Sequence, residues 1–337
     1  VLGLALLDLL GHVALLSAAR YATLHCTHAA LAAASQASAR PKVAVTLTAC
    51  QQDATLRGIS PTTTSGRPKE ARMTAICIAN NKGGVGKTTT AVNLAAGLAR
   101  LNQRVLLIDL DGQANATYAL TGRVHPVPSI YDVLVGERKL ETVIWQSNEE
   151  NVWLAPGDGR LQNIDVELAA RPGREWRLAR ALNGQDFDYI LLDTPPALGV
   201  LTQNALAAAH SVLIPVALTE FSLIGMDKLD ATIEELRDQL DLDDLRVLGV
   251  FATFYEDTTT ARETWSILEK KFEGQLLETR IPKNLDLEKA HRANESVLSH
   301  APTSSGGLAY MQLAREVKRL VAAQSRPYDR RRSAHAN

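Results

Sequence analysis

After residue 73 the chain alternates between short apolar runs and stretches with helical periodicity. The runs fall at 74–80, 104–111, 151–157, 188–196, 211–218, 246–254 and 276–282. Each is apolar almost without interruption, the pattern of parallel strands covered on both faces. Between them, the period predicts helices over 88–101, 175–183, 200–209, 224–240, 260–272 and 307–323. In the first of these, Val92, Ala95, Ala96 and Ala99 join the leucines in a narrow apolar stripe. Strands and helices in this order predict an α/β fold: a doubly wound, mostly parallel sheet with helices on both faces. Ligand chemistry then belongs at the carboxyl ends of the strands. No internal repeat is present.

Residues 1–72 differ in character. They open VLGLALLDLLGHVALL, pass through an Ala-rich stretch and close with ISPTTTSGRPKEAR. Asp8 and His12 interrupt the apolar run, which is too short to span a membrane as a helix. No basic segment precedes it, so it is a poor secretory signal. Met73 stands just before the first strand. The expectation is that translation starts there and that 1–72 is upstream read-through. A disordered extension, a targeting segment and an accessory helix are the alternatives. Residues 73–323 then form one domain, and 324–337 is a polar, basic tail predicted to be disordered.

Composition narrows the chemistry. The 337 residues carry a net charge of −1 with a pI of about 6.8, so no global basic field for nucleic acid exists, although local patches can. Cys26, Cys50 and Cys77 lack the paired spacing of a disulfide framework or a zinc or iron–sulfur site. Cys77, inside an apolar run, is predicted to be a buried, inert thiol.

The most informative stretch is NNKGGVGKTT, residues 80–89. It joins the first strand to the first helix. Glycines permit positive φ and close backbone approach, so successive N–H groups of Gly83, Gly84, Val85, Gly86, Lys87, Thr88 and Thr89 can wrap a polyphosphate. The helix adds its positive end. Lys87 would reach the β- and γ-phosphates, and the Thr88 hydroxyl would coordinate Mg²⁺. Carboxylates follow at two strand ends: Asp109 and Asp111 in IDLDGQANAT, and Asp193 in YILLDTPP. They are expected to serve the phosphate loop. Asp193 would hold Mg²⁺ through water, Asp109 would support the water shell, and Asp111 would orient the attacking water.

Together these residues resemble the ParA/Soj family of partition ATPases, P-loop NTPases of the deviant Walker A class that also contains MinD and the nitrogenase iron protein. The resemblance spans almost all of 73–323 and includes KGGVGKTT, LLIDLDGQANAT, DYILLDTPPALGVLTQNAL, IPVALTEFSLIGMDKL, IPKNL and GGLAYMQLAREVKRL. It implies ATP and Mg²⁺ as cofactors and hydrolysis of ATP to ADP and phosphate. It also implies an ATP-bound homodimer in which Lys82, the first lysine of the loop, acts on the partner's nucleotide. Stimulation by a ParB-like protein, non-specific DNA binding, and a cytoplasmic, nucleoid-associated protein belong to the same expectation. The terminus RRRSAHAN lacks the apolar face of a MinD-like membrane helix, so no membrane partner is expected.

Two departures from the family pattern stand out. Gly112 replaces the usual proline after DLD, which is expected to loosen that loop. The arginines that contact DNA in typical members are missing, their places falling near Thr258 and at Asp286. Arg262, Lys270, Lys283, Lys289 and Arg292 are the substitute DNA-binding candidates, with a solvated charged face as the alternative reading. For the adenine, Phe254 and Pro282 are candidates to flank the base and Asn284 to hydrogen-bond its edge. A core aromatic and a turn proline are the alternatives. Competing functions are a ParA-like positioner of a protein cargo, a metabolic ATP-dependent enzyme on this fold, and a regulator with a vestigial ATPase.

Overall fold

All seven apolar runs form strands. The strands are β1 (Thr74–Ile78), β2 (Val105–Asp109), β3 (Trp145–Gln146), β4 (Val152–Ala155), β5 (Tyr189–Asp193), β6 (Ser211–Ala217), β7 (Arg246–Tyr255) and β8 (Leu276–Pro282). Only β3 lacks an apolar run of its own. It is two residues long and pairs antiparallel with β4 at the sheet edge. The other strands run parallel, in the order β3-β4-β2-β5-β1-β6-β7-β8. Every residue of β2 and β5 is buried, which is why their sequences show no polar face.

The computed structural model describes residues 73–124, 126–218, 231, 233–235, 237–242 and 244–324. The chain divides into two units, Val1–Ala54 and Thr55–Asn337, and all described residues belong to the second. The leader 1–72, the tail beyond 324 and most of the helix predicted at 224–240 lie outside the described residues. Within that last span, 233–235 and 237–240 are helical.

The helices are α1 (Lys87–Arg100), α2 (Asn115–Thr121), α3 (Ile130–Leu134), α4 (Ile164–Leu168), α5 (Arg177–Ala181), α6 (Val200–Ala208), α7 (Thr259–Lys271), α8 (Leu285–Arg292), α9 (Val297–His300) and α10 (Ser305–Ala323). The helix predicted at 175–183 is a 3₁₀ turn, Arg174–Trp176, followed by α5. Five short helices, α2, α3, α4, α8 and α9, are absent from the sequence reading. Helices of four to eight residues give too little periodicity to stand out from a loop.

Alternate residues of the central strands feed two cores. Ile76, Ile78, Leu107 and Leu191 join α1, α2 and α10 on one face. Cys77, Leu106, Ile108 and Leu192 join α3, α5 and α6 on the other. The Cys77 thiol is buried and pushed well above its ordinary pKa by desolvation, as an inert core thiol should be. Helices α1 and α10 cross closely at Gly97, where a Cβ would lie 2.7 Å from the Ala314 Cβ. This crossing seats α1 firmly against the sheet and so fixes the direction in which its N-terminus points.

Candidate functional site

The site is built where β1 stops. Asn80 follows β1 and is buried. Its Nδ2 donates to the Pro215 carbonyl on the β6 side (2.8 Å), and its Oδ1 accepts from the Lys82 N–H (3.0 Å). The chain then turns through Gly84 (φ 72°) and Gly86 (φ 83°), conformations that a side chain would strain. Gly86 is the N-cap of α1, and its carbonyl accepts the Thr90 N–H (2.8 Å). The Thr253 hydroxyl on β7 donates to the Val85 carbonyl (2.9 Å), tying the far side of the loop to the sheet. Lys87 is buried, and its Nζ donates to the Lys82 carbonyl (3.2 Å). Burial pushes its pKa down, while Asp193 and then Asp111 pull it back up. The two lysines of the loop are thus joined, the ammonium of one resting on the backbone of the other.

The acids are arranged differently from the expectation. Strand β5 lies between β1 and β2. Asp193 is therefore the carboxylate adjacent to the loop strand, in register with Ile78, and Asp109 is in register with Asp193 one strand further out. Asp111 is not at a strand end. It sits in the turn after β2, half-buried, and its Oδ1 accepts from Gln113 N–H (2.9 Å).

Asp109 is fully engaged. Its Oδ2 accepts from the Thr117 N–H (2.8 Å) and hydroxyl (2.7 Å), and its Oδ1 from the Asp111 N–H (3.1 Å). Burial still pushes its pKa up to about 6 against those bonds. Asp193 is the opposite case. It is fully buried, and neither carboxylate oxygen has a hydrogen-bond partner of ordinary geometry. Desolvation and then Asp109 raise its pKa well above the carboxylate range, opposed by the Thr88 hydroxyl and Lys87. A buried carboxylate left in this way calls for a proton or a cation. Among the described residues no three His, Cys, Asp or Glu gather into a metal cage. The donors present, one hydroxyl and one carboxylate beside a phosphate loop, suit Mg²⁺, which keeps waters and takes its remaining ligands from phosphates.

The turn after β2 is backed by the end of the 151–157 run and the residues after it, for which the sequence suggested no role in the site. A Cβ on Gly157 would lie 2.7 Å from the Asp109 carbonyl oxygen and 3.1 Å from that of Asp111. The Gly157 N–H donates to the Thr117 hydroxyl (2.9 Å). Arg160 holds this elbow, with Nη1 donating to Asp132 Oδ1 (2.8 Å) and Nη2 to Asp158 Oδ2 (2.7 Å). Gly112 was expected to loosen the turn. Instead it is buried, and a Cβ there would lie 2.6 Å from Gln162 Cγ. The glycine lets the turn close against Gln162.

The remaining predicted residues divide. Phe254 has φ 51°, unusual for a bulky residue. Its ring lies against Gly86, where a Cβ would be 3.5 Å from Phe254 Cε2. Pro282 ends β8 opposite Tyr255. Asn284 is a helix cap: its Oδ1 accepts from the Asp286 N–H (2.6 Å) and its Nδ2 donates to Ser305 Oγ (2.7 Å). That commits both ends of the amide expected to read the base. Three of the five DNA candidates are paired with acids. Arg262 meets Asp257 (3.3 Å), Lys283 meets Glu256 (3.2 Å) and Lys289 meets Asp286 (2.9 Å). Lys270 and Arg292 are exposed. Local charge on this surface is therefore largely cancelled.

Comparisons with known proteins agree with this architecture. A family model described as an AAA domain matches residues 73–246. The chain is 43% identical over 252 residues to the chromosome-partitioning ATPase Soj of Thermus thermophilus, covering 74% of this chain and 98% of that one. It is 39% identical to the sporulation initiation inhibitor protein Soj of Bacillus subtilis, covering 72% and 97%. Among solved structures, cobyrinic acid a,c-diamide synthase from Mycobacterium smegmatis, with a bound ATP analog and magnesium, superposes with a TM-score of 0.65. The identity is 32%, over 75% of this chain and 98% of that one. With its phosphate loop, its eight-stranded sheet and these relatives, the chain belongs to the ParA/Soj family of partitioning P-loop ATPases.

Proposed function

We propose that this protein is an ATP-dependent dimerising switch for DNA partition. The observation that carries this reading is Asp193: a fully buried carboxylate whose oxygens have no hydrogen-bond partner of ordinary geometry, level with the end of β1 where the phosphate loop begins. Backbone N–H groups of residues 83–89 hold the phosphates, and Lys87 neutralises the β- and γ-phosphate charge. Thr88 and Asp193 hold Mg²⁺, which supplies further neutralisation of the phosphates when bound. Asp111 orients the attacking water. Asp109 supports that arrangement through the turn, since Thr117 already binds its carboxylate. Phe254 and Pro282 flank the base.

Lys82 reaches the partner's nucleotide across a homodimer. A unit charge pair at 4 Å is worth roughly 4 kcal/mol at an effective dielectric of about 20, enough to couple nucleotide state to dimerisation. The ATP-bound dimer grips non-specific DNA on the nucleoid, and a ParB-like partner stimulates hydrolysis. Among the described residues no helix is long and apolar enough to cross a membrane.

The test is light scattering with Mg²⁺ and ATP or ADP, followed by a duplex mobility shift under both conditions. A dimer and a shift with ATP alone support the switch. A monomer under all conditions refutes it. A metabolic role is the second reading, favoured by the neighbour that is a diamide synthase. Turnover that requires a small metabolite and ignores DNA would select it.

A further inference from the structure

The basic residues that the sequence offered for DNA are largely neutralised by neighbouring acids. A different cluster holds two arginines, Arg171 and Arg177, with no carboxylate partner among the described residues. Residues 171–180 read RPGREWRLAR, four arginines against one glutamate, in a chain of net charge −1. Arg174 is satisfied by that glutamate, Glu175 (2.8 Å). Arg171 Nη1 donates to the Val135 carbonyl (2.6 Å) and Arg177 Nη1 to the Leu134 carbonyl (2.8 Å). These are consecutive carbonyls at the end of α3, so the two guanidiniums stand side by side. Arg180 belongs to the same group, and its Nη2 lies 2.7 Å from where a Gly173 Cβ would be.

Capping a helix end accounts for one N–H of each arginine, and a guanidinium carries five. The Nε of Arg177 is buried and has no hydrogen-bond partner. Burial, and then Arg171 and Arg180, push the Arg177 pKa down, so the cluster repels itself as it stands. Among the described residues no carboxylate forms an ion pair with Arg171 or Arg177. An arriving anion would relieve the repulsion. Guanidinium forks match phosphate oxygens well. Protein partners usually bring an apolar anchor, yet none of the exposed large apolar residues falls within 169–183.

We propose that Arg171, Arg177 and Arg180 form a phosphate-gripping surface for the backbone of double-stranded DNA. The inference rests on the partition reading and moves the DNA contact to the end of α3 and the start of α5. It carries no sequence preference, because the contacts are to phosphate.

The test is fluorescence anisotropy of a labelled random-sequence duplex with the ATP- and Mg²⁺-loaded full chain, titrated in salt. Arg171→Gln and Arg180→Gln are compared with Arg171→Lys and Arg180→Lys, and thermal melts check folding. The Gln variants should bind all duplexes more weakly and lose about one unit of salt slope per lost contact, while the Lys variants keep the slope. If Arg171→Gln fails to fold, Arg180→Gln decides. Unchanged affinity and slope in the folded Gln variants, with the unsubstituted protein binding, would overturn the proposal and leave the partition reading intact. Failure of the unsubstituted protein to bind any duplex would instead sink the DNA arm of that reading, and this surface with it. Poly-glutamate binding that the Gln variants lose, with duplex affinity unchanged, would overturn it in favour of an acidic protein partner.

Discussion

Asp193→Asn should make the nucleotide-free protein more stable and the loaded protein less so. The carboxylate is fully buried, neither oxygen has a hydrogen-bond partner of ordinary geometry, and Asp109 adds a second negative charge across the β2–β5 register. Leaving a buried polar group unsatisfied costs about 1–3 kcal/mol, more if it is charged. The amide has nearly the same shape and no charge but remains a buried polar group, so its substitution should recover only the part due to charge, about 1–3 kcal/mol at pH 8. For a domain of this size, 1 kcal/mol shifts Tm by roughly 2–4 °C, which predicts a rise of about 2–12 °C. Mg²⁺-ATP at 100 times its Kd should add about 2.7 kcal/mol to the native protein. The variant should show little of that Mg²⁺-dependent shift and no turnover. The measurement is differential scanning fluorimetry at pH 8, with EDTA and then with Mg²⁺-ATP. A variant that melts below the native protein in EDTA, or that keeps the full Mg²⁺-dependent shift, would refute the argument that Asp193 is a cation site held at a cost to the fold.

Other consequences follow from the same geometry. Lys82→Ala keeps the Lys82 carbonyl that receives Lys87, so it should still bind ATP in filter binding but form no dimer in light scattering; a normal dimer would remove the action in trans. Gly112→Ala should destabilise by about 1–3 kcal/mol through overpacking against Gln162. Adding Gln162→Ala should recover most of that in urea unfolding, and additive losses would show that the contact is not the cause. The Asp109 pKa is raised from 3.8 to about 6, so between those values the folded state binds more protons than the unfolded. Its contribution is therefore favourable at low pH and lost as pH rises through about 6. His291, whose pKa burial pushes down, works in the opposite sense near its ordinary value of 6.5. The native protein should accordingly lose more stability between pH 4.5 and 7 than Asp109→Asn, which keeps His291; equal slopes in the two would disprove the linkage.

Sequence alone determined the strand runs, the long helices and the chemistry of the loop. These are legible because periodicity, glycine conformation and lysine placement concern neighbours along the chain. NNKGGVGKTT needs its Gly84 and Gly86 at positive φ whatever packs around them. What stands beside what is another matter. That β5 separates β1 from β2, making Asp193 rather than Asp109 the loop's neighbour, follows from how helices cover both faces of the sheet. That Asp109 is taken by Thr117, Asn284 by its own helix and Lys289 by Asp286 follows from close approaches in the folded chain. The Arg171–Arg177 pair shows the same limit: its spacing is visible in the sequence, but consecutive α3 carbonyls bring the two guanidiniums together. A lone residue type states what chemistry is available. Only burial and the identity of its partners decide whether that chemistry is spent on the fold or left for a ligand.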